Sequence, residues 1–314
     1  MKTRKLTQKS SPHMILHALV PVGLVMLLGA SSAPPPAPAQ EVAETSAVNW
    51  KNDPAWYQGP AEWALYDATR PARGGELHYE ATIFTNKQRM NPNTTTKAGD
   101  WRKPENIEVF KHNVSEVYET GNFVYRYLTT AFVRTDDLSI YKLVSSSQEE
   151  CGTSFKRFVV TDGQVDATSF DYHPDQGESS ETYAASSSLA FHDSLSLTLR
   201  DYPFDAPEKP VLKLDLVPDQ TTPVVAPLKP DRATVHYIAR ETITVPYGSV
   251  ETHHLRVEHA RDGRTTQSDY WFAAPGTQNG DMLNVMVKYE GPHGVKYQLK
   301  RLEWWAYWSD PKPE

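Results

Sequence analysis

The residues best suited to chemistry are three histidines in the segment 251–259. Side chains alternate between the two faces of a strand, so His253 and His259 share one face and His254 lies on the other. The two histidines on the shared face are about 20 Å apart at roughly 3.3 Å per residue, whereas zinc holds its histidine ligands at about 2.0–2.1 Å. We therefore expect no metal site and no cofactor, and we interpret the histidines as polar strand residues with cross-strand partners.

Motifs that carry catalytic residues are missing from the sequence. There is no Gly-x-Ser-x-Gly elbow, no glycine-rich phosphate loop and no His-Glu-x-x-His helix. We predict no catalytic residue and favour binding over catalysis. An enzyme stays open as an alternative, because two carboxylates on neighbouring strands can serve glycoside hydrolysis without any recognisable spacing in the sequence.

Alternating apolar and polar residues predict a β-rich chain. Near the C-terminus such runs recur at a spacing of roughly ten residues with turn residues between them, which predicts a meander of antiparallel strands. The segment 187–200 starts on serines, lacks glycine and proline, and is predicted to be the one helix. The predicted strands cover 76–84, 107–110, 115–119, 123–128, 139–144, 154–160, 165–172, 211–217, 233–245, 249–259, 265–273, 282–289 and 295–305.

Three short motifs in the C-terminal part carry a family resemblance. They are Val-Pro-Tyr-Gly at 245–248, Tyr-Trp-Phe at 270–272 and Tyr-Gln-Leu at 297–299. Over residues 233–302 this order resembles a bacterial envelope family, domain-of-unknown-function family 3108. The resemblance implies a curved antiparallel sheet with an apolar concave face, as in the half-barrels of periplasmic lipoprotein carriers. It supplies no catalytic residues.

We predict a mainly β fold: a curved antiparallel sheet, either an open half-barrel or β-sandwich-like, with one short helix. A sheet that does not close leaves apolar side chains facing a cavity, and concave apolar sites hold small apolar ligands. We therefore predict that the concave face binds a lipid, an acyl chain or another apolar ligand. The candidate lining residues, chosen from apolar positions in strand alternation, are Tyr125, Tyr127, Phe158, Tyr237, Leu255, Val257, Val285 and Val287.

The first 39 residues have the features of an export signal. Basic residues precede an apolar stretch at 14–29, and residues 37–39 form the small-x-small pattern that signal peptidase reads. We predict a periplasmic or secreted protein, and not a lipoprotein, because the only cysteine, Cys151, is far from the signal. Cleavage removes four of the 32 Lys and Arg and none of the 39 Asp and Glu, which leaves a net charge of −11. Such a charge argues against nucleic acid as a partner.

The mature chain is predicted to contain an aromatic-rich N-terminal lead at 40–75 and a single β-rich domain at 76–314. Two groups of tryptophans lie near its ends, and we expect them to pack on each other because indoles bury much area. The groups are Trp50, Trp56 and Trp63, and Trp304, Trp305 and Trp308. An alternative is that exposed indoles stack on sugars in a carbohydrate-binding or carbohydrate-cleaving β-sandwich. A third hypothesis is an envelope scaffold that binds a partner protein through a sheet edge.

Overall fold

The structure is a computed structural model. It describes residues 49–312 apart from 73–74, 122, 151, 223–225, 262 and 276–281. The predicted signal, Cys151 and part of the predicted turn at 262–263 lie outside the described residues. The chain divides into two units, Met1–Thr45 and Ser46–Glu314, and the described residues all belong to the second. Within them, no helix is both long and apolar enough to cross a membrane.

Sixteen strands of the described residues form one open, curved sheet, which confirms the predicted fold class. The strands are β1 Ala61–Ala72, β2 Gly75–Asn91, β3 Thr96–Lys97, β4 Ile107–Thr120, β5 Phe123–Arg134, β6 Ile140–Glu149, β7 Gly152–Thr161, β8 Gln164–Asp171, β9 Gly177–Ala184, β10 Leu189–Phe191, β11 Leu212–Val217, β12 Asp231–Val245, β13 Gly248–Arg261, β14 Arg264–Ala273, β15 Met286–Glu290 and β16 Lys296–Trp305. The order across the sheet is β10-β11-β12-β13-β14-β15-β16-β1-β2-β4-β5-β6-β7-β8-β9, with β3 paired to β2. The pairing of β1 with β16 therefore joins the two halves of the chain into one sheet.

The predicted meander is confirmed, because β12 to β16 are consecutive antiparallel neighbours. Strands β4 to β9 form a second meander. Its β7–β8 hairpin turns at Asp162 and Gly163, whose φ angles of 51° and 73° are both in the left-handed region. An Asp-Gly pair favours such a two-residue hairpin turn, since glycine adopts a positive φ without a steric penalty.

The prediction of a helix over 187–200 is wrong in its first part. Residues Leu189–Phe191 form β10, which pairs in parallel with β11. Helical structure begins at His192–Ser194, continues as helix α1 at Leu195–Thr198 and ends at Leu199–Asp201. Leucine and phenylalanine at 189 and 191 follow the two-residue period of a strand, and pairing with β11 outweighs helix propensity there.

The predicted N-terminal lead extends into the sheet. Residues Trp50–Asn52 and Pro54–Tyr57 are short 3-10 turns, and Ala61–Ala72 is β1 in the middle of the sheet. Strand β2 continues to Asn91, beyond the end of the predicted strand at 76–84. Residues on both sides of position 76 therefore belong to the same sheet.

One face of the sheet is covered by the chain itself. We call residues 192–204 the inner segment and the side of the sheet that it contacts the inner face. Ser196 Oγ lies 2.8 Å from His112 Nε2 on β4, and Arg200 pairs with Glu62 on β1. Leu195 packs in the hydrophobic cluster formed mainly by β1, β2 and β12 to β16, whereas Leu197 packs in the cluster of β4 to β8. The inner segment thus lies between two hydrophobic clusters.

Candidate functional site

The strand register shows which side chains share the inner face beyond the inner segment. Glu116 on β4 is opposite Ala81 on β2 and Tyr127 on β5. Tyr127 is opposite Ser147, which is opposite Ser154. These side chains form a polar and aromatic row, because directly opposed residues in an antiparallel sheet point to the same side.

Tyrosines dominate this part of the inner face. The ring centroids of neighbouring members are 4.9 to 5.8 Å apart in the pairs Tyr79–Tyr118, Tyr118–Tyr127, Tyr289–Tyr297 and Tyr270–Tyr289. We call the set the tyrosine face. Its members are Tyr79, Tyr118, Tyr125, Tyr127, Tyr270, Tyr289 and Tyr297. The face combines aromatic surface with hydroxyl groups contributed by β2, β4, β5, β14, β15 and β16.

A buried ion pair orients several of these hydroxyls. The Glu116 side chain is fully buried and accepts hydrogen bonds from Arg70 Nη2 at 2.5 Å, from the Tyr79 hydroxyl at 2.8 Å and from the Tyr297 hydroxyl. Arg70 also donates to the Tyr118 hydroxyl at 2.9 Å. Burial and the charge of Glu116 raise the pKa of Tyr79 and of Tyr297, so both phenols stay protonated and act as donors near neutral pH.

A second polar cluster lies where the inner segment and the loop 218–222 meet. His192, Asp193 and Asp219 each offer a donor atom within 4.8 Å of the others. The Tyr289 hydroxyl is 3.1 Å from His192 Nε2, which places this cluster at the edge of the tyrosine face. These three residues are the described side chains that could hold a metal ion.

The carboxyl group of Asp219 is accessible although it lies among polar groups of the inner face. Its side chain is 52% exposed, yet desolvation and the nearby charge of Asp193 raise its pKa well above the usual value. Its charge also raises the pKa of Tyr289 and Tyr270, after the larger effect of their burial. Asp219 is therefore a half-exposed carboxyl group beside polar groups of the inner face.

A separate cavity of about 270 Å³ opens at the other end of the inner segment. Its lining is partly aromatic and partly charged. The lining residues are Trp50, Arg200, Asp201, Tyr202, Pro203, Phe204, Asp205, Ala206, Pro275 and Asn284. The apolar part of the lining includes the rings of Trp50, Tyr202 and Phe204. The charge of Arg200 is paired with Glu62.

The predicted lining residues fall into three places. Tyr125 and Tyr127 belong to the tyrosine face, with centroids 6.4 Å apart. Phe158 is fully buried against Phe191 in the cluster of β4 to β8. The other five pack in or against the cluster of β1, β2 and β12 to β16: Tyr237, Leu255, Val257, Val285 and Val287. Their role in holding a ligand stays a prediction. Of the eight, Tyr125 and Tyr237 are partly exposed, and the other six are buried.

The interpretation of the histidines is confirmed for two of them. His253 is opposite Phe272, stacks on Phe204 at 4.3 Å, and has its pKa lowered to about 4, mainly by burial. His254 is opposite Trp271, stacks on its ring at 4.1 Å and lies 2.6 Å from an Asp269 oxygen. Both therefore have cross-strand partners.

The two tryptophan groups contact each other, as predicted. Trp56 and Trp304 have ring centroids 4.9 Å apart, and Trp63 and Trp305 have centroids 5.5 Å apart. Exposed indoles occur at Trp101 and at the chain end. The two contacts join the segment before β2 to the end of β16.

Sequence reasoning missed the polar residues of the site. His192 and Asp193 were assigned to a helix and Asp219 to a connection, and 26 residues separate the last two. Glu116 could have been found from the sequence. It shares a strand face with His112 and Val114, and a carboxylate on a buried face needs a partner.

Comparison with known proteins gives little further information. No family model matches the chain, and no curated protein matches it. The resemblance to family 3108 therefore stays a prediction. A Bacteroides fragilis protein thought to be exported, with a YmcC-like fold, is 8% identical with a TM-score of 0.25, covering 77% of this chain and 95% of its own. A Parabacteroides distasonis protein thought to be a lipoprotein is 8% identical with a TM-score of 0.26, covering 78% and 96%. Such TM-scores do not carry either description over to this chain.

Proposed function

We propose that the protein is an exported envelope protein that binds a hydroxyl-rich ligand, of the carbohydrate class, on the tyrosine face. The observation that carries the proposal is the half-exposed carboxyl group of Asp219, which lies 4.0 Å from His192 Nδ1, while the Tyr289 hydroxyl lies 3.1 Å from His192 Nε2. Export is supported by the signal features of residues 1–39.

The chemistry of the tyrosine face suits a sugar better than an acyl chain. Tyr79 and Tyr125 are the partly exposed members of the face and offer ring surface to a ligand. Hydroxyl and carboxyl groups beside such rings can fix the orientation of a polar ligand. Near the face, Ser147 Oγ and Ser154 Oγ are 2.7 Å apart and add two further hydroxyls. An acyl chain would gain no hydrogen bond from these hydroxyl and carboxyl groups, whereas the hydroxyls of a sugar can bond to them.

An apolar ligand is the second candidate, and a different observation favours it. The cavity of about 270 Å³ is lined in part by the aromatic rings of Trp50, Tyr202 and Phe204. This site would take the acyl chain that the sequence predicts for the concave face. The scaffold hypothesis has less support, because the edge strand β9, Gly177–Ala184, is polar and mostly exposed.

A glycan array probed with the mature protein from its export compartment tests the first candidate. Tyr125→Leu removes a half-buried ring of the tyrosine face, and Tyr172→Leu, at a tyrosine that is 78% exposed outside it, is the matched control. We expect the first variant to lose about two- to tenfold in glycan affinity, since a stacked aromatic ring contributes about 0.5–1.5 kcal/mol. The control should bind like the wild type.

Two results would contradict the carbohydrate proposal. One is a wild-type protein that binds no glycan; the other is equal loss in both variants. Native mass spectrometry of the same preparation then tests the second candidate. Co-purifying acyl species that are lost on Phe204→Ala but retained on Tyr125→Leu would place the ligand in the cavity beside Trp50.

A further inference from the structure

The cluster of His192, Asp193 and Asp219 has the composition of a metal-ion site. One imidazole nitrogen and two carboxylate groups lie within 4.8 Å of one another, and His192 Nδ1 is 4.0 Å from Asp219 Oδ1. Imidazole and carboxylate are the nitrogen and oxygen ligands that zinc and related divalent ions take in proteins. Two carboxylates this close repel each other unless a positive charge or a shared proton lies between them.

Neighbouring groups outside the cluster form hydrogen bonds that orient its donor side chains, as an outer coordination shell does. The Tyr289 hydroxyl lies 3.1 Å from His192 Nε2, so the Nδ1 atom is left facing Asp219 when Nε2 carries the proton. Asp193 accepts hydrogen bonds from the Gln220 backbone N–H at 3.0 Å and from Thr221 Oγ1 at 2.7 Å. Such bonds orient metal ligands and fix the histidine tautomer.

The site is open on one side. Asp193 is buried and His192 is largely buried, whereas the Asp219 side chain is 52% exposed. An ion held by these three residues would keep coordination positions for water or for a ligand. Asp219 Oδ1 accepts a hydrogen bond from the Thr221 backbone N–H at 2.8 Å, so neighbouring groups orient all three donor side chains.

A positive side chain lies nearby. Lys156 Nζ on β7 donates to the backbone oxygens of Gln220 and Thr222, at 3.1 and 2.9 Å, and its charge is coupled to Asp193 and Asp219. A cation bound by the cluster would therefore share the two carboxylates with the charge of Lys156.

We propose that His192, Asp193 and Asp219 bind one divalent transition-metal ion. The site goes beyond the carbohydrate proposal and does not rest on it, since ion uptake is measured without any glycan. With three protein ligands and open positions, the ion would be accessible to a ligand on the tyrosine face.

Isothermal titration of the chelator-treated, dialysed mature protein with Zn²⁺ tests the site. We expect one ion per chain, with at least tenfold weaker binding for Asp219→Asn, which keeps the size of a half-exposed side chain. Tyr289→Phe should weaken binding about tenfold, because loss of an outer-shell hydrogen bond typically has this effect. Asp231→Asn is the control: it removes the carboxylate of another histidine–aspartate pair, with His259, and should leave the affinity unchanged.

Circular dichroism of each variant shows whether it is folded. Two outcomes would overturn the proposal: a folded wild-type protein that takes up no stoichiometric Zn²⁺, and equal affinity in the wild type and Asp219→Asn. In either case the two carboxylates share a proton instead of a metal ion. Weakening by Asp231→Asn to the same extent as by Asp219→Asn would likewise place the ion elsewhere.

Discussion

Two arginine–glutamate pairs on the inner face differ in what surrounds them. Arg200 and Glu62 form a two-bond pair at 3.0 and 2.7 Å, with side chains only 1% and 4% exposed, and join the inner segment to β1. Arg70 and Glu116 join β1 to β4, and Arg70 is 18% exposed. The first pair connects two parts of the fold, whereas the second lies within the tyrosine face.

The partners of each pair explain why we expect the first pair to be structural and propose a part in ligand binding for the second. Among the described residues, Arg200 has only the Ser196 carbonyl as a further acceptor, so its charge depends on Glu62. Arg70 donates to the hydroxyls of Tyr79 and Tyr118 and lies over the Tyr118 ring at 4.5 Å. Because Arg70 has several hydrogen-bond partners, we expect that a ligand can replace one of them without leaving the guanidinium charge unpaired.

The largest effect is expected from Glu62→Gln. The substitution keeps the shape of the side chain but leaves the Arg200 charge buried without a carboxylate. Breaking a buried ion pair in this way typically costs about 3–5 kcal/mol. Urea denaturation at pH 7 should therefore show a free energy of unfolding lower by about 4 kcal/mol.

Glu119→Gln is the control for this measurement, because Glu119 is exposed on β4. It should change stability by no more than about 0.5 kcal/mol. A loss below about 1 kcal/mol for Glu62→Gln would mean that the inner segment is not anchored by the pair, and the contrast with Arg70–Glu116 would fail.

A smaller loss of stability is expected from protonation of His112, which also contacts the inner segment. This buried histidine lies between Thr85 Oγ1 and Ser196 Oγ, each 2.8 Å from a ring nitrogen, and ties β4 to the inner segment. Burial, with a contribution from Arg200, lowers its pKa to about 3 from an ordinary value near 6.5. The unfolded state therefore binds more protons between those two values, and stability falls as the pH drops through that window.

For the wild type, this histidine should remove about 3 kcal/mol of stability between pH 7 and pH 4, because one pKa unit corresponds to about 1.4 kcal/mol. His112→Gln does not titrate, so the difference between the wild-type and variant urea curves isolates the histidine from the carboxylates. Parallel stability profiles over pH 4–7 would show that His112 becomes protonated in the folded state without cost.

The strands of the fold differ in how well the sequence predicts them. Strands β12 to β16 were predicted because each run ends in turn residues and one strand face is apolar. Strand β1 was missed because it is covered on both faces: Trp63 packs on Trp305 while Tyr66 lies in a hydrophobic cluster. A strand buried on both sides lacks the alternation that identifies strands in a sequence.

The site was only partly predictable, for a related reason. Tyr125 and Tyr127 were found from strand alternation alone. His192 and Asp219 were not, because they meet only when the inner segment folds onto the sheet, and no local pattern encodes that contact. The sequence also shows the apolar residues of an inner face without showing that the chain covers them itself, so Leu255 and Val257 were predicted as lining but are fully packed.

The smallest effect is expected from Glu116→Gln, the counterpart of Glu62→Gln. The amide oxygen can still accept from Tyr79 or Tyr297, and Arg70 keeps the Tyr118 hydroxyl and its access to solvent. The change therefore replaces charge-assisted hydrogen bonds by neutral ones, which lowers the free energy of unfolding by about 1 kcal/mol. Urea denaturation under the conditions used for Glu62→Gln gives the comparison directly.

A loss as large as that of Glu62→Gln would mean that Arg70 is as dependent on its carboxylate as Arg200, and that the tyrosine face is a structural network. A small loss of stability together with weaker glycan binding would separate the two pairs by function. Glu116 would then act mainly by orienting the Tyr79 and Tyr297 hydroxyls toward a ligand, since neutralising it changes their hydrogen bonds while the sheet around them stays paired.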